Sequence, residues 1–289
     1  MCGLGYEGKS MNQTVINLTN DFQTLFASIA PSKNRYTVFS DFIFLTAAAL
    51  RNAVGHPFRH LFNQDIENEY LKVISAYTKD EAGKFANLMG LYVCIAEAGQ
   101  EPYDHLGDLF MQQGFGEACK GQYFTPSPIS DLMAKITTPD IAKALEHKNF
   151  LTVSDPACGA GSTLLAVVKE CRAQKVNPQY QLWIQGIDID RTAALMCYIQ
   201  LSMWHIPAEI CVGNSLSLEI REVWNTPAHY LGGWSQKLVK PNKLPSSVTK
   251  SREQQEIVIP AQPTPISKLP PRKSNKAYGK EQLGFDFQL

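Results

Sequence analysis

The sequence predicts an α/β fold in which a partial sheet, built from alternating strands and helices, sits between a helical region and a disordered tail. Three observations predict it. An apolar run at residues 150–153 ends in Asp155, turns through Gly159 and Gly161, and re-emerges as a helix with Leu164, Leu165, Val167, Val168 and Cys171 on its inner side. Two further short apolar runs, 181–190 and 208–212, follow with helical sequence between them. Before these strands the apolar residues recur at helical spacing, and after them prolines crowd among Lys, Ser and Gln.

Taken in order, residues 1–35 are polar apart from an amphipathic stretch at 15–29. Ser40 reads as the cap of a helix that begins at Asp41. Further helices are expected at 65–77, 79–98 and 104–113, the third of these carrying Leu106, Leu109 and Phe110. Residues 1–115 therefore form a helical N-terminal region, 116–234 the sheet domain, and 235–289 the tail. The strand at 181–190 ends in Asp188 and Asp190, the second placed to cap the helix of residues 191–205. A third strand, 208–212, leads into Gly213-Asn214-Ser215-Leu216.

Composition bounds the rest. The 289 residues are 44% apolar and 19% charged, enough for a packed core. No apolar run is long enough to span a membrane, and the N-terminus carries no secretory pattern, so a cytoplasmic location is expected. Seven scattered cysteines, an odd number without a C-x-x-C pair, argue for free thiols rather than disulfides or zinc. His56 and His60 are four apart, but Pro57 between them opposes a shared helical face, so no metal site is expected. The net charge is zero because two halves cancel: residues 235–289 hold ten of the 27 basic and four of the 27 acidic residues, a net of +6 against −6 for residues 1–234. An acidic body is poorly suited to gripping DNA with its whole face.

The glycine turn carries the chemistry. A strand end, two glycines and a helix N-terminus form a cradle for a nucleotide-like ligand. The spacing is neither the phosphate-loop pattern nor the full dinucleotide fingerprint. The string Asp155-Pro156-Ala157-Cys158-Gly159-Ala160-Gly161-Ser162 resembles the S-adenosylmethionine-binding motif of DNA adenine-N6 methyltransferases, especially the methylase subunits of type I restriction-modification systems. Upstream, Gly121-Gln122-Tyr123-Phe124-Thr125-Pro126 matches the element that this family places over the methionine end of the cofactor, and 28 residues separate Pro126 from Asp155. The resemblance implies a Rossmann-like methyltransferase sheet. It also implies that Tyr123, Phe124, Thr125, Asp155, Ala157, Gly159, Gly161, Asp188 and Asn214 hold S-adenosyl-L-methionine. Asp188 would take the ribose diol, since a carboxylate accepts two hydroxyl protons. Asn214, standing where the family usually has aspartate, would accept from the adenine amine.

The family's amine-binding motif, Asn/Asp-Pro-Pro-Tyr/Phe at the end of a fourth strand, has one candidate counterpart: Asn225-Thr226-Pro227-Ala228-His229-Tyr230. Asn225 and the backbone at Thr226 and Pro227 would accept the two amine protons, and Tyr230 would stack on the flipped base. Thr226 and Ala228 depart from the pattern, and residues 218–224 are more charged than a central strand. The resemblance thus implies methyl transfer from S-adenosylmethionine to an adenine amine in DNA, by an enzyme of bacterial or mobile-element type. The alternative is a cofactor-binding module without catalysis, tethered to another protein. Seven of the seventeen prolines fall in residues 235–280, and the chain ends in Gln282-Leu283-Gly284-Phe285-Asp286-Phe287. That hexapeptide resembles the peptides that dock on the bacterial sliding clamp.

Overall fold

The computed structural model describes residues 12–55, 58–115 and 124–239, all within one compact unit, Met1–Pro245. Tyr123, His56, nearly all of the Pro/Lys-rich tail and the C-terminal hexapeptide lie outside the described residues.

Among the described residues five α-helices come first: α1 (Gln13–Ala27), α2 (Arg35–Ala53), α3 (Gln64–Ile74), α4 (Lys79–Gly99) and α5 (His105–Gln112). Their boundaries follow from capping side chains. Asn34 accepts from the Thr37 amide, so α2 starts six residues before the expected Asp41, and Ser40 lies inside the helix. The start is reinforced by Arg35, whose guanidinium donates to the carbonyls of Phe26 and Ile29 at 2.7 Å each, closing the end of α1. Freed from a capping role, the Ser40 hydroxyl instead meets Thr192 at 2.9 Å. Thr78 and Glu81 form a reciprocal capping box at the head of α4. Asp104 caps α5 through the Gly107 amide at 2.8 Å.

The sheet follows, introduced by α6 (Ser127–Thr137) and the short α7 (Ile141–Ala144). Its strands are β1 (Leu151–Asp155), β2 (Leu182–Asp188), β3 (Ala208–Asn214) and β4 (Glu219–Asn225), in the order 1-2-3-4. The first three are parallel, and β4 returns antiparallel beside β3. Helices α8 (Ser162–Ala173) and α10 (Arg191–Met203) make the two crossovers, the short α9 (Pro178–Gln181) leading into β2. Since both crossovers step the same way along the sheet, the right-handed rule puts α8 and α10 on one face. Two short helices end the described chain, α11 (Pro227–Leu231) and α12 (Trp234–Val239). Helix α12 extends ordered structure past residue 234, anchored by Trp234, which is fully buried with its ring 5.0 Å from that of Phe150.

Helix α10 is the centre of the molecule. Residues Thr192 to Ser202 are all buried, as expected of a helix enclosed on every side. One side packs on β2 and β3, and the other on α2, so the helical region and the sheet share a single hydrophobic core. Polar ties cross the same junction. Arg191 grips Glu69 of α3 through two hydrogen bonds of 2.6 and 2.9 Å, and also pairs with Glu222 of β4. The charge in β4, odd for a central strand, is explained by its position as an exposed antiparallel edge, where lateral charge is tolerated and discourages further pairing.

Among the described residues no helix is long and apolar enough to cross a membrane, and no group of three or more His, Cys, Asp or Glu is placed to hold a metal. Cys94, Cys158, Cys171, Cys197 and Cys211 are free thiols.

Candidate functional site at the ends of the parallel strands

The carboxyl ends of parallel strands are where ligands bind in open α/β sheets, and here those ends carry Asp155, Asp188 and Asn214. The turn after β1 is rigidly built. Gly159 and Gly161 have φ of +53° and +98°, conformations that strain any L side chain. A Cβ on Gly159 would come within 3.0 Å of the Phe124 ring, and one on Gly161 within 2.8 Å of Cys197 Sγ. Phe124 is therefore laid directly against the turn, its other side held edge-on to Phe110 at 5.1 Å. Ser130 of α6 and Ser162 at the start of α8 share a hydrogen bond of 2.9 Å, which fixes the element carrying Phe124 and Thr125 to the turn.

The acidic residues are largely occupied in shaping this turn. Asp155 accepts from the Ala157 amide at 3.0 Å and from the Thr163 hydroxyl. Asp188 accepts from the Gly159 amide and from the Asp190 amide, both at 2.8 Å. Burial raises the Asp188 carboxyl above its usual range, and the two amides partly offset that rise. Each carboxylate oxygen keeps a second lone pair, so Asp188 retains acceptor capacity toward a diol. Asp190 caps α10 through the Ala193 amide at 2.8 Å, as its position suggested.

Asn214 differs from expectation in detail. Its side-chain oxygen accepts from Leu216 and Ser217 amides at 2.9 and 3.3 Å, closing the β3–β4 turn, so the group left for a ligand is the amide N–H₂ rather than the oxygen. Gly213 also serves the hairpin, since a Cβ there would lie 2.4 Å from the Glu219 carbonyl beside the bulge at Val212/Gly213.

The structure brings Phe124, Thr125, Asp155, Ala157, Gly159, Gly161 and Asp188 together, with Asn214 at the adjoining strand end. Asn225, Thr226, Pro227 and Tyr230 are not among them. Because β4 runs antiparallel, Asn225 pairs with Glu209 near the start of β3. Glu209 and Asn214 lie five residue steps apart along β3, about 16 Å at roughly 3.3 Å per residue. The Thr226 hydroxyl donates to the Ile206 carbonyl at 2.7 Å and accepts from the Ala208 amide at 2.9 Å, so it clamps the entry to β3. His229 accepts from the Trp183 indole at 3.2 Å and meets Ser235 at 2.9 Å, and Tyr230 rests its ring against His229. The motif is a structural corner at the opposite edge of the sheet, which corrects its assignment to the target amine.

Sequence reasoning missed two contributors. One is Asp104, which with Phe124, Thr125, Ala157, Gly159 and Thr163 lines a small cavity of about 70 Å³ over the turn. The other is Gln200 of α10, whose amide N–H₂ donates to Asp104 at 2.7 Å and to the Ala160 carbonyl at 2.8 Å, coupling the two. A larger hollow of about 610 Å³ lies at the other end of the strands, between the C-termini of α8 and α10. Arg172, Lys175, Trp204 and His205 line it, and it is remote from the glycine turn.

The donor set suits the amino-acid end of a nucleoside-linked amino acid. No side chain caps α8 at Gly161, so its first-turn amides are available to a carboxylate. A strand-end acid and a glycine turn without room for a side chain stand beside them. Residues 103–232 match the family model for N-6 DNA Methylase, a family that uses S-adenosyl-L-methionine. No curated protein matches the sequence. Among solved structures, a putative class I S-adenosylmethionine-dependent methyltransferase from Listeria monocytogenes is similar at 14% identity and a TM-score of 0.37, over 68% of this chain and 51% of that one. The methyltransferase subunit of a type I restriction-modification system from Streptococcus thermophilus is similar at 11% identity and a TM-score of 0.35, over 68% of this chain and 57% of that one. The chain spans little more than half the length of either.

Proposed function

We propose that this chain binds S-adenosyl-L-methionine at the β1 turn and serves the transfer of its methyl group to the adenine amine of DNA. The observation that carries the cofactor half is the turn itself: Phe124 packed on Gly159, Asp188 holding the Gly159 amide, and an uncapped α8 N-terminus beside them. The adenine and DNA half rests on the family match over residues 103–232 and on the order of the Tyr-Phe-Thr-Pro and Asp-Pro-Ala-Cys-Gly-Ala-Gly elements. The chain's own contribution is to bind and orient: Phe124 and Thr125 cover the methionine end, Ala157, Gly159 and Gly161 bring backbone close to it, and Asp188 and Asn214 face the nucleoside. Bound there, the cofactor supplies an electrophilic methyl group on a sulfonium.

One observation favours the second reading, a cofactor-binding module that relies on other residues for the acceptor. With Asn225 at the far edge of the sheet, no described loop at the cofactor edge presents an Asn/Asp-Pro-Pro-Tyr/Phe motif. Transfer of a tritiated methyl group to unmodified genomic DNA separates the two. Signal that disappears with Asp188→Ala supports the enzyme, and cofactor binding by calorimetry without any transfer supports the module. Absence of cofactor binding refutes both.

A further inference from the structure

Asp104 is a buried charge with no counter-charge among the described residues. It is 5% exposed, stands between Tyr103 and α5, and lines the cavity over the glycine turn. Both of its hydrogen bonds fall on one oxygen: Oδ1 accepts from the Gly107 amide at 2.8 Å and from Gln200 at 2.7 Å. Oδ2 takes no partner among the described residues. Gly107 permits this orientation, because a Cβ there would lie 2.3 Å from Oδ2. Among the described residues no Lys or Arg pairs with Asp104. The titratable neighbours supply no positive charge. Tyr92 of α4 and Cys197 of α10 are neutral acids, Asp108 is held by the Tyr103 hydroxyl at 2.6 Å, and burial lowers His105 to about 4. A buried carboxylate without a counter-charge is costly, and a cation delivered by a ligand relieves that cost.

We propose that Asp104 holds the α-ammonium group at the amino-acid end of the cofactor. This rests on the cofactor reading above and adds a residue to it. The two ends of the zwitterion then meet complementary groups within one small cavity: the carboxylate faces the first turn of α8, and the ammonium faces Asp104 Oδ2. Gln200 sets the geometry, since the same amide group binds Asp104 and the Ala160 carbonyl of the turn, so carboxylate and turn are held in one register. Asp104 is thus a binding residue, and Gln200 a positioning one.

The test is calorimetry on the full chain with three probes: S-adenosylmethionine, S-adenosylhomocysteine and 5′-methylthioadenosine. The first two carry the ammonium, and the third lacks the amino-acid end. Asp104→Asn keeps an oxygen for Gly107 and Gln200 and removes only the charge. It is expected to weaken the first two by about 10- to 100-fold, the range for a hydrogen bond to a charged group, and to leave the third unchanged. Equal weakening of all three, or no weakening of any, overturns the proposal while leaving the cofactor reading intact. Failure of the wild type to bind S-adenosylmethionine overturns the cofactor reading itself. Wild-type protein provides an independent readout. Affinity for the two ammonium-bearing probes should rise between pH 5 and pH 7 as the carboxyl, raised by burial to about 6, ionises. A rise of the same size with 5′-methylthioadenosine assigns the titration to another group, such as Asp188, and counts against Asp104.

Discussion

Asp104→Asn also makes a prediction about the unliganded protein, in which its sign is the reverse of ordinary carboxylate behaviour. Burial raises the Asp104 carboxyl from 3.8 to about 6, the bonds from Gln200 and Gly107 offsetting only part of the rise. The folded state therefore holds its proton more tightly than the unfolded chain. The associated stability is fully present below pH 3.8 and is lost as pH climbs through 6. The gap between 3.8 and about 6 corresponds to a loss on the order of 3 kcal/mol by pH 7, at about 1.4 kcal/mol per pH unit. An asparagine keeps both bonds on its oxygen and never ionises. At pH 7.5 the variant should thus be the more stable protein by up to about 3 kcal/mol, or roughly 6–12 °C in Tm for a domain of this size. At pH 4 the two should melt together within a degree or so. Circular dichroism melts across pH 4–8 measure this directly. A variant that is no more stable at pH 7.5, or a gap that persists unchanged at pH 4, would refute the account of Asp104 as an unneutralised buried charge.

Gly161→Ala should cost about 1–3 kcal/mol in urea denaturation, from the left-handed backbone and the approach to Cys197 Sγ, and Cys197→Ala in the same chain should restore part of it. Asp188→Asn leaves one of the Gly159 and Asp190 amides facing an N–H₂ group, so it should cost about 1–3 kcal/mol and weaken cofactor binding together with stability. Asn225→Ala should leave cofactor affinity unchanged, and a tenfold loss in calorimetry would put the residue back at the site. Thr226→Val should destabilise by about 1–3 kcal/mol, because the Ala208 amide and Ile206 carbonyl lose their buried partner.

What was legible in the sequence is what depends on local pattern. The strand, glycine turn and helix at 151–173 could be read because one short stretch carries the apolar run, the two positive-φ glycines and the inward stripe of α8. Asp190 as a cap was legible for the same reason. Three features were not. The start of α2 depends on Asn34 and on Arg35 reaching back to the end of α1, a contact across a turn that periodicity does not report. Asp104 stood in the sequence only as the first residue of an expected helix, and its setting depends on Gln200, ninety-six residues away. The direction of β4 was hidden as well, since an edge strand's alternation is the same whether it runs parallel or antiparallel.

That direction decides how far the site's chemistry extends. A tight turn at Asn214, closed by its own side-chain oxygen, leaves no room for a crossover helix, so the chain after β3 can only fold back beside it. The fold-back carries residues 219–225 from the cofactor edge to the opposite edge, and Thr226 then locks the end of the strand to the start of β3. The motif that resembled the amine-binding element is therefore displaced by topology rather than by loop flexibility, and no rotamer change returns Asn225 across about 16 Å. The proposed cofactor site and the corner after β4 are thereby separable within this chain: mutations at Asp104, Gly161 and Asp188 should act on cofactor binding, and those at Asn225 and Thr226 on the fold alone. A variant of Asn225 that abolished methyl transfer while leaving cofactor affinity and Tm untouched would break that separation, and with it the reading of β4 as a structural edge.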